Sequence, residues 1–341
     1  MIIGEDKMKR MTRRLAVIAA AQFGILLGAT AIAPAAQAAE KMTLLLNWVP
    51  QGDHSPYYYA RKMGWYADEG IDLTIEGGRG SAATIPRVAA GQVAVGIADM
   101  ANILEGRSKN IDAVGVMALY ANTAFGLYWK KGGSISSPKD IAGKKIGAPA
   151  GDAVRPIWPV IAKAIGIPAE SVTWVNIAPE AKVASLQAGI IDVSPHLYSV
   201  HDVYEKSFGK DLGYVSLREL GVNPYGLSIF TSGAYMKNNP ETLKKFLKVS
   251  QKAIRACFEN PKPCTAVLAS ETSQNADDVL ANWKRVETLI ADDIGRKVAI
   301  GAYDPERVQA DVAMIETLFN VKLGPGPYFT NDYLDKSIKL P

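Results

Sequence analysis

Cysteine is nearly missing from this 341-residue chain, which has two, Cys257 and Cys264. Histidine is scarce as well, with three, His54, His196 and His201. So few soft or imidazole ligands leave little with which to build a metal centre. The five-residue step from His196 to His201 also spoils a shared helical face. Neither metal nor cofactor is expected. No Gly-x-Ser-x-Gly elbow occurs, and Cys257 has no histidine near it in sequence, so no nucleophilic constellation is visible. No glycine turn leads into Gly-Lys-Ser/Thr, which disfavours a phosphate loop. Short tandem repeats are absent. The chain is therefore not expected to be an enzyme.

The N-terminus reads as an export signal. Lys7, Lys9, Arg10, Arg13 and Arg14 precede an apolar run from Leu15 to about Ala33, and Ala36-Gln37-Ala38 forms an A-x-A exit. Cleavage is expected after Ala38, with residues 1–38 as a signal peptide and the mature chain in the periplasm. The Ala/Gly content of the run argues against a membrane anchor. The Arg13-Arg14 pair leaves ordinary secretion and the twin-arginine route both open. Residues 1–38 hold five basic and two acidic side chains, so the net charge of +4 falls to about +1 without them. No large basic stretch remains, and nucleic acid is not an expected partner. An oxidising compartment permits a disulfide between Cys257 and Cys264, with a turn at Pro261 and Pro263 bringing the sulfurs together. Two free buried thiols are the alternative.

From residue 42 onward, short apolar strands alternate with amphipathic helices. The reading is a strand at 42–46, a helix at 56–63, strands at 71–76 and 93–97, helices at 81–90 and 101–107, and a strand at 114–120. A second unit follows with strands at 145–148, 172–176 and 190–193 and helices at 152–164 and 179–188. A strand at 227–231 and helices at 240–258, 276–290 and 305–320 complete the chain. This rhythm predicts an α/β protein whose sheets carry helices on both faces. About 300 residues usually exceed one compact core, so two lobes are expected. Phe125-Gly-Leu and Tyr225-Gly-Leu share an opening and mark the expected crossings between lobes. Lobe 1 is then 39–125 plus 226–341, and lobe 2 is 126–225.

Ligands of open α/β sheets bind beyond the carboxyl ends of the strands. That rule selects the segment from Asn47 to Tyr59. Trp48 can stack a flat ring, Asn47 both donates and accepts, and Asp53 and His54 can meet a polar edge. Tyr57 or Tyr58 is expected in the site, with Tyr59 packed inward. The rule also selects Gly77-Gly-Arg-Gly-Ser81, whose helix-start N–H groups favour an acceptor or anion at Ser81, and the segment ending at Asp99. In the second unit it selects Pro149 to Arg155, with Gly151, Asp152 and Arg155, and Ser194 to His201, with Tyr198 and His201. Arg155 either grips a carboxylate or pairs with Asp152 at i, i+3. Trp158 either walls the pocket or simply packs, and Tyr225 stands at the second crossing.

These segments resemble the periplasmic binding proteins of ABC importers for thiamine pyrimidine precursors and for nitrate, sulfonates and taurine. Asn47-Trp48-Val-Pro and the run from Tyr57 to Asp72 are similar to that family's opening. The run from Ala90 to Asp99, Ser137 to Gly147 and Leu186 to Asp192 follow in the family's order. The resemblance implies a two-lobed (type II) binding protein without enzymatic activity. It would be a monomer that traps a small planar heteroaromatic molecule in the interlobe cleft and docks on an inner-membrane permease. Trp48, Tyr198 and Arg155 are expected to converge there. An aromatic carboxylate or an alkanesulfonate is the alternative ligand. The fungal hydroxymethylpyrimidine phosphate synthase on the same fold is the enzymatic alternative, but its cysteine-rich iron motif has no counterpart here.

Overall fold

A computed structural model describes residues 39–341. The expected export signal lies outside the described residues. Among the described residues ten strands form two sheets of five: β1 (Glu40–Leu45), β2 (Ile71–Glu76), β3 (Val95–Asp99), β4 (Val114–Ala118), β5 (Phe125–Lys130), β6 (Lys145–Gly147), β7 (Thr173–Val175), β8 (Val193–Leu197), β9 (Leu212–Ser216) and β10 (Leu227–Thr231). The first sheet runs β2-β1-β3-β10-β4 and the second β7-β6-β8-β5-β9. The two orders are equivalent. Three parallel strands lead each sheet, and an antiparallel fourth strand joins them to the edge.

That fourth strand is in each case the first one laid down after the chain changes sheets. β5 follows the 119–124 crossing and β10 the 217–226 crossing. The shared aromatic-Gly-Leu openings of Phe125 and Tyr225 stand at these two points. β3 and β10 are buried along their whole length, as central strands rich in Ile, Val and Phe must be. β2 alternates instead, with Ile71 and Leu73 inward and Asp72 and Thr74 outward, as befits an edge strand with one solvated face.

Helices cover the sheets. The longest among the described residues, Pro240–Glu259, buries Leu243, Phe246, Leu247, Ser250, Ile254 and Cys257, a stripe at helical spacing. Two readings are corrected. Residues 261–272 form a helix, not a simple turn, because Pro261 and Pro263 fall in its first turn, where a missing N–H costs nothing. The strand expected at 190–193 occupies Val193–Leu197, since Pro195 and His196 are accommodated inside it. A helix at His201–Phe208 and the strand β9 were not anticipated.

Cys257 and Cys264 are joined as a disulfide that ties Pro240–Glu259 to Pro261–Thr272. Replacing both cysteines with serine is expected to cost about 2 kcal/mol, the constraint of closing so short a loop. Urea unfolding of the variant checks this; an unchanged midpoint would contradict it.

Candidate functional site

The carboxyl ends of the parallel strands in the two sheets face one another. Between them lies a narrow pocket of about 20 Å³ lined by Asn47, Trp48, Gly80, Ser81, Phe125, Asp152, Ala153, Lys182, His196 and Leu197. Each arrives from a strand tip. Asn47 and Trp48 follow β1, Gly80 and Ser81 lie between β2 and its helix, and Asp152 and Ala153 follow β6. Lys182 opens the helix after β7, and His196 and Leu197 end β8.

Lys182 is 1% exposed, yet it carries a charge into this pocket. Its Nζ donates to Asp152 Oδ2 at 2.7 Å and to the Pro195 carbonyl at 2.6 Å, and it stands 4.7 Å from the centre of the Trp48 ring. A buried ion pair offsets its desolvation only with such added bonds. Burial lowers the Lys182 pKa, and Asp152 opposes that shift. Asp152 is used twice: its Oδ1 accepts from Val154 N–H at the start of the Val154–Ile165 helix. His196 meets Trp48 edge-on at 6.0 Å between ring centres. Its Nδ1 bonds Tyr204 OH at 3.0 Å, while its Nε2 has no partner among the described residues. Burial, then the Lys182 charge, push its pKa well below 6.5, so the imidazole is neutral.

The expected residues divide. Asn47, Trp48, Ser81 and Asp152 line the pocket. Gly151 is adjacent and touches the opposite tip. Arg155 neither lines the pocket nor pairs with Asp152: its guanidinium donates to the carbonyls of Ala148 and Pro149 and covers the Trp174 ring at 4.5 Å. Trp158 packs edge-on against Trp174, with its Nε1 donating to Ala169. Tyr198 lines a neighbouring open groove with Thr123, Phe125 and Tyr214, under Arg285. His201 bonds Tyr128 OH at 3.2 Å. Trp48, Tyr198 and Arg155 therefore do not converge.

Asp53, His54 and Tyr57 line a second cavity with Tyr120. Tyr58 lies under Arg61. Tyr59 is half-buried against Trp65 while Tyr57 takes the inward position, the reverse of the expectation. Tyr225 anchors the second crossing to the C-terminal helix, accepting from Asp304 N–H and donating its own N–H to Asp311. Asp99 sits behind Ser81, whose Oγ accepts from its N–H. Sequence reasoning missed Lys182; it placed His196 in the strand-tip stretch from Ser194 to His201 but gave it no role at the site. A lysine at a helix start carried no comparable signal.

The two tips touch. Ala82 N–H donates to the Gly151 carbonyl at 3.2 Å and Asn102 Nδ2 to the Ala153 carbonyl at 3.2 Å. The helix start expected to take an anion is thus occupied by backbone from the opposite side. Farther out, Asn282 Nδ2 donates to the Ser199 carbonyl at 2.7 Å, and Arg285 pairs with Glu205 at 2.9 Å. A side chain on Gly80 would run into the Gly151 carbonyl, and one on Gly151 would stand 2.9 Å from Ala83 Cβ.

Gly151→Val is therefore expected to wedge the tips apart. Small-angle scattering should give a larger radius of gyration at unchanged helix content; equal radii would contradict this closing contact. A second expectation concerns Asp99. It caps the Met100–Ser108 helix through Ala101 N–H, its Oδ2 is buried without a partner among the described residues, and burial pushes its pKa up to about 7 from 3.8. The folded chain holds this proton between those values and the unfolded chain does not, so stability falls as pH rises from about 4 to about 7. Asp99→Asn keeps the cap. The variant should gain on the parent by a few kcal/mol across that window and level off above it. Urea melts at about pH 4.5 and pH 7.5 measure this, and a pH-independent difference would refute it.

The NMT1/THI5-like family profile matches residues 51–263, and the chain belongs to that family. The formylaminopyrimidine-binding protein of Halalkalibacterium halodurans is 25% identical over 240 residues, covering 70% of this chain and 72% of the relative. A 4-amino-5-hydroxymethyl-2-methylpyrimidine phosphate synthase of Saccharomyces cerevisiae is 26% identical over 65% of this chain and 68% of its own. Among solved structures, the alkanesulfonate-binding protein SsuA of Xanthomonas axonopodis pv. citri, bound to MOPS, superposes with a TM-score of 0.65 at 14% identity. That superposition covers 86% of this chain and 98% of the other. The fold is that of the periplasmic binding proteins.

Proposed function

We propose that this chain is the periplasmic solute-binding component of an ABC-type importer and captures a small, neutral, planar heteroaromatic molecule of the pyrimidine type. The observation that carries the reading is the Lys182–Asp152 pair. The cation and the carboxylate lining the pocket neutralise each other, and His196 is neutral beside them. An anionic sulfonate or carboxylate would have to compete with Asp152 for Lys182. A neutral ring need only stack on Trp48 and bond the free edges of Asn47 and His196. Between the touching tips the pocket is too small for a ring, so in this reading the solute enters with the tips parted.

In this reading the lobes, 39–125 with 226–341 and 126–225, hinge at the two crossings. The ligand's contacts with both tips favour the closed form, which an inner-membrane permease would recognise. The likeness to the formylaminopyrimidine-binding protein supports this ligand class. The synthase reading is disfavoured because Cys257 and Cys264 are joined to each other, away from the pocket. The protein is read as a monomer.

A thermal-shift panel of pyrimidines, aromatic carboxylates and alkanesulfonates tests the ligand class. A pyrimidine should raise the melting temperature and the anions should not. A rise with sulfonates alone would overturn the reading, as would turnover of any pyrimidine precursor by the purified chain. Trp48→Ala should weaken the pyrimidine by roughly 5- to 150-fold, the loss of about 1–3 kcal/mol of stacking, with the melting curve of the free protein intact. Unchanged affinity in calorimetry would remove Trp48 from the site.

A further inference from the structure

We infer that His54 is a positioning residue that sets the hydrogen-bond polarity of the pocket: it holds the Asn47 carboxamide with its NH₂ toward the bound solute. The solute must then present an acceptor, such as a ring nitrogen, beside Trp48. This rests on the pocket being the ligand site.

The argument begins at a backbone group whose role is fixed. Gln51 N–H can only donate, and it donates to His54 Nδ1 at 3.1 Å. Nδ1 is therefore the bare nitrogen, and a neutral imidazole must carry its proton on Nε2. Nε2 stands 3.0 Å from Asn47 Oδ1 in a buried contact, so it donates there and Asn47 must turn its oxygen to it. Asn47 Nδ2 makes no bond within the described residues, and Asn47 lines the pocket. Its backbone cannot drift, because its carbonyl accepts from Gly80 N–H at 2.8 Å. The carboxamide thus offers donors to the solute and no acceptor.

The competing arrangement would place the His54 proton on Nδ1, toward Asp53, and reverse Asn47. Asp53 Oδ1 is 3.2 Å from Nδ1 but makes no hydrogen bond there. Asp53 is oriented instead through Oδ2, which accepts from Tyr120 OH at 2.9 Å. Tyr120 lies in the first crossing and is bonded through its backbone to Leu227 and Gly226 at the second. The support beneath Asn47 is consequently fixed to both connections between the sheets.

Two measurements test this. ¹⁵N NMR of the histidine-labelled protein should show His54 with a protonated Nε2 and a bare Nδ1. The opposite tautomer would overturn the inference whether or not a ligand is known. Calorimetry should then compare 4-amino-5-hydroxymethyl-2-methylpyrimidine with its benzene counterpart, both ring nitrogens replaced by C–H. The parent protein should favour the pyrimidine by roughly 10- to 100-fold. His54→Gln, whose amide can still donate to Asn47, should keep that preference. His54→Leu should reduce it below about threefold. A folded His54→Leu protein that keeps the full preference overturns the inference. If His54→Leu fails to fold, the tautomer in the parent protein decides. If neither compound binds the parent, the ligand reading falls while the tautomer still judges His54.

Discussion

The site depends on one buried ion pair. Lys182 and Asp152 come from different loops of the same sheet, and neither could stay charged at 1% exposure without the other. Their attraction sets the helix start at Val154 and holds the loop after β6 against the tip of β8. It also spends the charge that would otherwise define the pocket. What remains lining the pocket is an aromatic face and a few neutral edges. Such a surface discriminates by shape and by the direction of hydrogen bonds.

Closure is built from different material. The inner contact is backbone on backbone, made possible by glycine at 80 and 151. Gly80 also adopts φ +116°, a conformation that side chains rarely accept. The outer contacts are exposed ion pairs and a carboxamide bond between the 276–290 helix and the 199–206 segment. Exposed pairs contribute little each and are screened by salt. The shape-dependent inner contact therefore determines how closely the tips meet, while the outer contacts steer them.

Much of the fold was legible because its signals are local. Strand alternation at 71–76, the helices at 240–259 and 276–290, and the two aromatic-Gly-Leu crossings all follow from residue pattern. Asn47 and Trp48 were legible through the strand-tip rule. The rest of the site was not, because it depends on which residues meet across long separations. Lys182 gains its meaning from Asp152, thirty positions away, and Arg155 is drawn off by Trp174 and two carbonyls. Asp53 and His54 were recognised as polar groups near the site, yet the structure turns them beneath it.

The interleaved strand order bears on how the chain assembles. Every strand of the second sheet lies within one continuous stretch, 125–216, so that sheet can close on its own. The first cannot. β10 is the strand neighbour of β4, and it also covers the open side of β3, yet it arrives only at residues 227–231. Until then two apolar strand edges stand unpaired, and the loop that must close between β4 and β10 spans the entire second sheet. Completion of the earlier half requires a five-residue strand that the chain reaches only after the whole of the later half, a long-range pairing of the kind that slows folding.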